Sequence, residues 1–276
     1  LILLIIFTFL IKDNYIPIYL FLANIVLFSL LINIFIFNKI NNSDKAYSLQ
    51  DEDDLSTKKI LNISTPMFFT SFILVLLSHI NMIFLGVYVA EENIAFYSIG
   101  LRFAGLTGLI LSSFNIVLAP KFSELSDLKD KTELIKIAQY STKIIFWLLF
   151  PVCILFILFG EYLITSIYGD NFIDSYSILV ILLIGFVYNS ICGSVGYFLN
   201  MTGNEKIVSK VMLLSLVIDL VLCFIMIPKY GIYGAAFSAV ITQIIWNSIF
   251  TYLIWRRYGT TLLYIPGINF LRKRLS

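Results

Sequence analysis

The chain has 276 residues, of which 59% are hydrophobic and only 13% charged, and its mean hydropathy is +0.93. Because a soluble domain carries about 25% charged residues, this composition predicts an integral membrane protein and excludes a soluble one. The three cysteines, Cys153, Cys192 and Cys223, lie in apolar runs, which excludes a disulfide framework and a thiolate metal site. The net charge of +2 gives no indication of a nucleic-acid partner.

The apolar segments predict an all-α, polytopic helical bundle. Residues 1–11 are too short for the roughly 20 residues that a helix needs to cross the hydrocarbon, so they indicate the second half of a span and a chain that is the C-terminal portion of a longer protein. Seven further apolar segments are long enough to cross. They are residues 17–37, 60–90, 95–119, 140–160, 174–198, 207–227 and 234–255. The sequence therefore predicts one partial and seven complete spans.

The basic residues predict the orientation of these spans. Nearly all of the 19 Lys and Arg lie in alternate polar segments, namely residues 38–59, 120–143, 206–210 and the tail after residue 255. Cytoplasmic loops carry an excess of Lys and Arg, so these segments and the C-terminus are predicted to be cytoplasmic. Residues 38–59 form the longest polar stretch, which is typical of a linker between two helical bundles.

Enzyme motifs are missing from the sequence. It contains no P-loop, no HExxH, no CxxC and no Ser/His/Asp set with a loop-borne His. The chain is therefore predicted to be neither an enzyme nor an ATPase, and to use no cofactor and no metal.

Five short stretches occur in order at the edges of the predicted spans. They are "SHINMIFLGVYVAEENIAFYSIGLRF" (78–103), "VLAPKFSEL" (117–125), "FGEYLITSIYGDNF" (159–172), "LNMTGNEK" (199–206) and "IPKYGIYGAAFSAV" (227–240). In these stretches the chain resembles a polysaccharide flippase, of the O-antigen (Wzx-like) type, in the multidrug/oligosaccharidyl-lipid/polysaccharide exporter superfamily.

The resemblance implies a fold of two six-helix bundles in an inverted V, of which this chain holds part. Residues 1–37 would be the last two helices of the N-terminal bundle, the first of them truncated, and residues 38–59 the cytoplasmic linker. Residues 60–257 would be the C-terminal six-helix bundle and residues 258–276 a cytoplasmic tail.

The function that the resemblance implies is transport of a polyprenyl-pyrophosphate-linked oligosaccharide across the bacterial cytoplasmic (inner) membrane by alternating access. The transported glycan would be destined for O-antigen, lipopolysaccharide or another surface polysaccharide. Membrane lipids, a polysaccharide polymerase and glycosyltransferases would be its partners. The chain departs from the family pattern at Asn81, where many relatives have an acid, and at Asp219 and Cys223, where relatives often have two Asn.

Arg102 is the basic residue that falls inside a predicted span. Ser98, Gly105, Ser112 and Ser113 lie within roughly 80° of it on one helical face, as in a polar cavity wall. A guanidinium pairs well with phosphate oxygens, so this face is a candidate substrate site. The alternative is that Arg102 extends to the interface or pairs with a carboxylate.

Asp219 is the carboxylate deepest in a predicted span, and Met212, Ser215 and Cys223 share its face. It is either an ion-coupling residue or a hydrogen-bonding residue between packed helices. Other polar residues of the spans are candidates for lining the cavity. They are Thr70 and Asn81 in the span from residue 60, and Asn189 and Asn200 around the segment 174–198.

Three other hypotheses compete with a flippase. A drug/cation antiporter of the same superfamily predicts several acidic residues in the cavity, and a membrane-bound polymerase or glycosyl-transfer enzyme predicts a long outward loop with catalytic Arg, His or Asp. The third is a truncated product without activity.

The stretch "MIPKYGIYGAAFSAV" (226–240) predicts a tight hairpin in which Pro228 stops one helix and Gly231 permits the turn. A small-residue packing face follows at Gly234, Ser238 and Thr242.

Overall fold

The computed structural model describes residues 57–126 and 131–267. The predicted segments 1–11 and 17–37, most of the predicted linker and the end of the predicted tail lie outside these residues. Residues 1–57 and 58–276 form two separate units. The described part of the second unit is helical except for turns and a short C-terminal segment. Its helices are α1 (Thr57–Tyr88), α2 (Glu91–Ser126), α3 (Thr132–Tyr168), α4 (Asp174–Cys192), α5 (Val195–Met201) and α6 (Glu205–Tyr258), with a 3-10 turn at Asp170–Phe172.

Five of these helices, α1 to α4 and α6, are long and apolar enough to cross a membrane. At 1.5 Å per residue, the 36 residues of α2 and the 37 of α3 are each about 54 Å long, well beyond the roughly 30 Å of hydrocarbon in a bilayer. Both helices therefore continue past the predicted apolar segments 95–119 and 140–160 into polar residues. Similarly, α1 begins at Thr57, inside the predicted linker.

The helix α6 has 54 residues and consists of two antiparallel arms, residues 205–230 and 232–258. The chain reverses at Gly231, whose φ of 56° and ψ of −130° break the helix. Hydrogen bonds join the arms near their open ends, between Arg257 and Asn204, and farther in, between Thr242 and Asp219. The predicted hairpin is present, but the first arm runs through Pro228 and ends at the glycine.

The segment 174–198, predicted as one span, is interrupted. The helix α4 ends at Cys192, Gly193 adopts a φ of 71° and ψ of −153°, and the short α5 starts at Val195. As a consequence, Asn189 and Asn200 lie on different helices, α4 and α5, rather than in one continuous span.

Two clusters of buried apolar side chains hold the helices together. One surrounds Leu85 of α1 and Ile178 of α4. The other surrounds Phe198 of α5, whose ring packs edge-on against Phe122 of α2 at 5.5 Å and against Tyr258 of α6 at 5.3 Å between ring centroids. The outside of the bundle is also apolar, with exposed Phe, Leu, Ile and Val on the long helices. An apolar exterior around a packed core is what a lipid environment requires.

Candidate functional site

A buried polar cluster joins α1 to both arms of α6. Asn81 comes from α1, Asp219 and Cys223 from the first arm, and Ser238 and Thr242 from the second. Asp219 is 1% exposed and Asn81 3% exposed. Because Asp219 and Cys223 lie one helical turn apart, as do Ser238 and Thr242, each arm presents two of these side chains on one face. The predicted small-residue face of the second arm therefore belongs to this cluster.

Hydrogen bonds connect all five side chains. Thr242 Oγ1 donates to Asp219 Oδ1 over 3.0 Å, and Asn81 Nδ2 donates to Asp219 Oδ2 over 3.2 Å. Asn81 Oδ1 is an acceptor. It accepts hydrogen bonds from Ser238 Oγ over 2.6 Å and from Cys223 Sγ over 3.2 Å. Each oxygen of the carboxylate and of the amide thus has at least one partner.

The donors that reach Asp219 are neutral. No Lys, Arg or His of the described residues forms an ion pair with it. An unpaired charge inside a membrane is costly, and among the described residues only neutral donors reach this carboxylate. The same bonds tie α1 to α6, because Asn81 contacts both arms. In the described chain no three His, Cys, Asp or Glu side chains come together as a metal site.

The predicted polar face of α2 is on the surface of the bundle. Arg102 is exposed, and it has no hydrogen bond or ion pair with any described residue. Ser98 is half-buried and Ser112 exposed, and their hydroxyls donate to carbonyls of their own helix, those of Ala95 and Gly108. The α2 face therefore carries a guanidinium that has no partner among the described residues, beside small polar side chains.

The remaining candidates are dispersed. Thr70 is buried and donates to the Pro66 carbonyl of its own helix. Asn189 is half-buried at the end of α4. Asn200 is half-buried on α5, and its Oδ1 has no partner among the described residues. Of the predicted site residues, hydrogen bonds bring only Asn81 and Asp219 together.

Several polar residues of the interior escaped the sequence prediction. Asn115 of α2, Ser194 beside α5 and Thr251 of α6 are all at least nine-tenths buried. Asn115 and Ser194 each have a side-chain oxygen without a partner in the described chain. Their signal was the same as that of Asn81, a polar residue within an apolar run. Tyr97 of α2, which is 2% exposed, lies close enough to Asp219 to interact with it electrostatically.

Comparison with known proteins places the chain among proteins of polysaccharide biosynthesis. It is 30% identical to the "Putative O-antigen transporter" of Shigella flexneri over 53% of this chain and 35% of that protein. It is 26% identical to the "Capsular polysaccharide biosynthesis protein CapF" of Staphylococcus aureus, over 68% of this chain and 48% of that protein. Identity to the "Probable low-salt glycan biosynthesis flippase Agl15" of Haloferax volcanii is 19% over 60% of this chain and 35% of that protein.

The chain thus spans between about a third and a half of the length of these relatives. No solved structure matches it. The model of the family described as "Polysaccharide biosynthesis protein" matches residues 24–177, which is more than half of the chain. On this match, the chain belongs to the polysaccharide biosynthesis protein family.

Proposed function

We propose that the protein is a flippase that moves a polyprenyl-pyrophosphate-linked oligosaccharide across the cytoplasmic membrane by alternating access. Two of the three relatives described above are named as an O-antigen transporter or a glycan flippase. None of the three is named as an enzyme or a drug antiporter. In this proposal the described helices, with α6 counted as two arms, would be the six spans of one bundle, and the basic loops would lie in the cytoplasm.

The observation that carries the proposal is the exposed guanidinium of Arg102 on an otherwise apolar bundle. A charge near the bilayer centre costs about 2.5–3.5 kcal/mol on insertion scales, so such residues face water or protein rather than lipid. We therefore infer that this face of α2, on which Arg102 has no ion-pair partner among the described residues, lines a water-filled cavity. Within that cavity its donors would pair with the pyrophosphate oxygens, and Ser98 and Ser112 would lie on the same wall.

Asp219 supplies the energy coupling in this proposal. A cation or proton that binds beside it would cross part of the membrane potential during the cycle, and one charge moving through 100 mV releases about 2.3 kcal/mol. Because Asn81 connects Asp219 to α1, occupation of the cluster would alter how α1 is held against α6. Differential contacts of this kind are what a ligand needs to shift a conformational equilibrium.

Complementation of a flippase-deficient cell tests the proposal. The complete gene should restore surface polysaccharide, Arg102→Ala should lower export by at least about tenfold, as expected for a lost charge-assisted hydrogen bond, and Arg102→Lys should retain part of it. Lys121→Ala is the matched control, because it also removes a positive charge from α2, where Lys121 forms an ion pair with the exposed Glu124.

Two results would count against the proposal. Normal export by Arg102→Ala would remove the cavity role of this residue. An unchanged pool of lipid-linked precursor after deletion of the gene would remove flippase function altogether.

A further inference from the structure

After α6 the chain turns back along the bundle as a non-helical segment, residues 260–265, here named the strap. Gln139 of α3 donates from Nε2 to the Thr261 carbonyl over 2.7 Å and to Thr260 Oγ1 over 3.2 Å. Two turns farther along α3, Trp147 Nε1 donates to the Tyr264 hydroxyl over 2.8 Å. Between these two attachment points, Leu262 is 1% exposed. The strap is therefore hydrogen-bonded to α3 near both ends, and Leu262 between them belongs to the buried apolar cluster around Phe198.

The strap also reaches the break between α4 and α5. In a continuous helix the Ile191 carbonyl would accept the Val195 N–H, but Val195 donates instead to the Gly193 carbonyl over 2.9 Å. The carbonyl of Ile191 that the break frees is taken up by the Tyr264 N–H over 3.0 Å. A backbone group left unpaired away from water costs several kcal/mol. The strap therefore provides the hydrogen-bond donor that the Ile191 carbonyl loses at the break.

The break itself is packed tightly against α3. A Cβ built on Gly193 would lie 2.1 Å from Thr142 Oγ1, so a glycine is required where the two backbones approach. The next residue, Ser194, is 5% exposed, although its hydroxyl has no partner in the described chain. The position of Ser194 therefore depends on the packing of the break rather than on a hydrogen bond of its own side chain.

We propose that the strap is a latch that holds the α4–α5 break closed against α3. While seated, it joins the end of α4 to two points on α3 and keeps Gly193 against Thr142. When it is displaced, Ile191 loses its backbone partner and α5 pivots about Gly193, which exposes Ser194. The latch is a property of the bundle and does not depend on the transport proposal.

Cysteine labelling measures the state of the latch directly. Ser194→Cys is placed in a complete protein in which Cys153, Cys192 and Cys223 are Ala, and the rate of N-ethylmaleimide labelling is measured in isolated membranes. Ending the chain after Gly259 removes the strap with its four hydrogen bonds and should raise the labelling rate at least about tenfold, a change that the loss of even one or two of them would produce. Gln139→Leu, which removes one attachment point, should raise it several-fold.

Matched variants separate the latch from other effects. Ending the chain after Gly267 keeps the strap and should leave the labelling rate unchanged, as should Tyr140→Phe, a change at an exposed neighbour of Gln139. Leu85→Cys, a reporter in the other apolar cluster at a position that is 0% exposed, should stay protected in every variant.

Two results would overturn the latch. One is an unchanged labelling rate at position 194 when the chain ends after Gly259. The other is equal deprotection at positions 85 and 194, which would mean that the strap is needed for the whole fold. Since neither measurement uses transport, a failed latch and a failed flippase would be told apart.

Discussion

Asp219 receives its hydrogen bonds from an amide and a hydroxyl. Because both donors are neutral, a substitution can separate the two roles that the residue could have, ion coupling and helix packing. An Asn at this position has the same size and can keep both bonds: its oxygen accepts from Asn81 Nδ2, and its NH2 group donates to the Thr242 hydroxyl, which can act as an acceptor. It cannot carry a charge. Substitution by Asn therefore removes ion coupling and leaves helix packing intact.

We expect Asp219→Asn to fold normally and to lower export by at least about tenfold, since one lost charge movement is worth about 2.3 kcal/mol per 100 mV. The measurements are export in the flippase-deficient cell and thermal unfolding of the purified protein. Asp219→Leu is the comparison: it leaves Thr242 and Asn81 without an acceptor, so it should also lower the unfolding temperature. Full export by Asp219→Asn would show that the residue serves packing alone.

The bond between Ser238 and Asn81 is short, 2.6 Å, and it connects α1 to the second arm of α6. Hydrogen bonds between membrane helices average about 0.6 kcal/mol in double-mutant cycles and reach about 1.7 kcal/mol. We expect a cycle of Asn81→Ala and Ser238→Ala, measured by reversible unfolding in detergent, to give a coupling energy in this range.

The control cycle combines Asn81→Ala with Ser71→Ala. Ser71 is a residue of α1 whose hydroxyl donates to the Met67 carbonyl of its own helix. Its coupling to Asn81 should be below about 0.5 kcal/mol, as for independent sites. Equal coupling in the two cycles would mean that the Ser238 bond contributes nothing specific.

At the level of elements, the two arms of α6 approach each other closely at Gly234. A Cβ there would lie 2.3 Å from the Met226 carbonyl oxygen, which belongs to backbone and cannot turn aside. We expect Gly234→Ala to push the arms apart and to reduce the free energy of unfolding by about 1–3 kcal/mol, the usual cost of overpacking.

Gly86→Ala is the matched control for this substitution. Gly86 lies in α1 and has nothing within 4 Å of its Cβ position, so alanine there should be neutral or stabilising by up to about 1 kcal/mol. A Gly234→Ala protein as stable as Gly86→Ala would contradict the close approach of the arms.

The sequence predicted the hairpin of α6 better than the break of α4. Pro, Lys and two Gly interrupt an apolar run at residues 228–234, and this local signal is sufficient to predict a reversal. Gly193, by contrast, stands in an apolar run without Pro or charge. Its break is stabilised by Thr142 of α3 and by Tyr264 of the strap, and neither contact can be predicted from the residues around Gly193.

The candidate site shows the same difference between a local sequence signal and a contact with distant residues. Asn81 and Asp219 were each predicted because a polar residue in an apolar span is rare and usually functional. Their pairing joins residues 138 positions apart, and the sequence contains no periodicity that relates them. Ser238 and Thr242 were predicted only as small residues for packing, because a hydroxyl that packs and a hydroxyl that donates look identical in sequence.

At the scale of the molecule, the predicted orientation can be tested by sidedness. Ser123 at the end of α2 and Asp170 after α3 are both exposed, and the distribution of Lys and Arg predicts that they lie on opposite sides of the membrane. We expect a membrane-impermeant maleimide to label Asp170→Cys in spheroplasts and Ser123→Cys only after lysis. The three native cysteines are buried and should give a low background.

Labelling of both positions from the same side would contradict the predicted topology. Reversed labelling would retain the span between them but would invert the assignment of the basic loops to the cytoplasm.

The hairpin of α6 has a consequence for how the protein is made. The bond from Thr242 to Asp219 closes a loop of only 23 residues. The bond from Asn81 to Asp219 instead joins α6 to α1, a helix that is synthesised much earlier, so it requires α6 to dock on α1. The two arms can therefore enter the membrane together as one inserted unit, with the carboxylate already hydrogen-bonded to a hydroxyl. Docking on α1 would then add the second partner, so the buried carboxylate would have a hydrogen-bond donor at both of these steps.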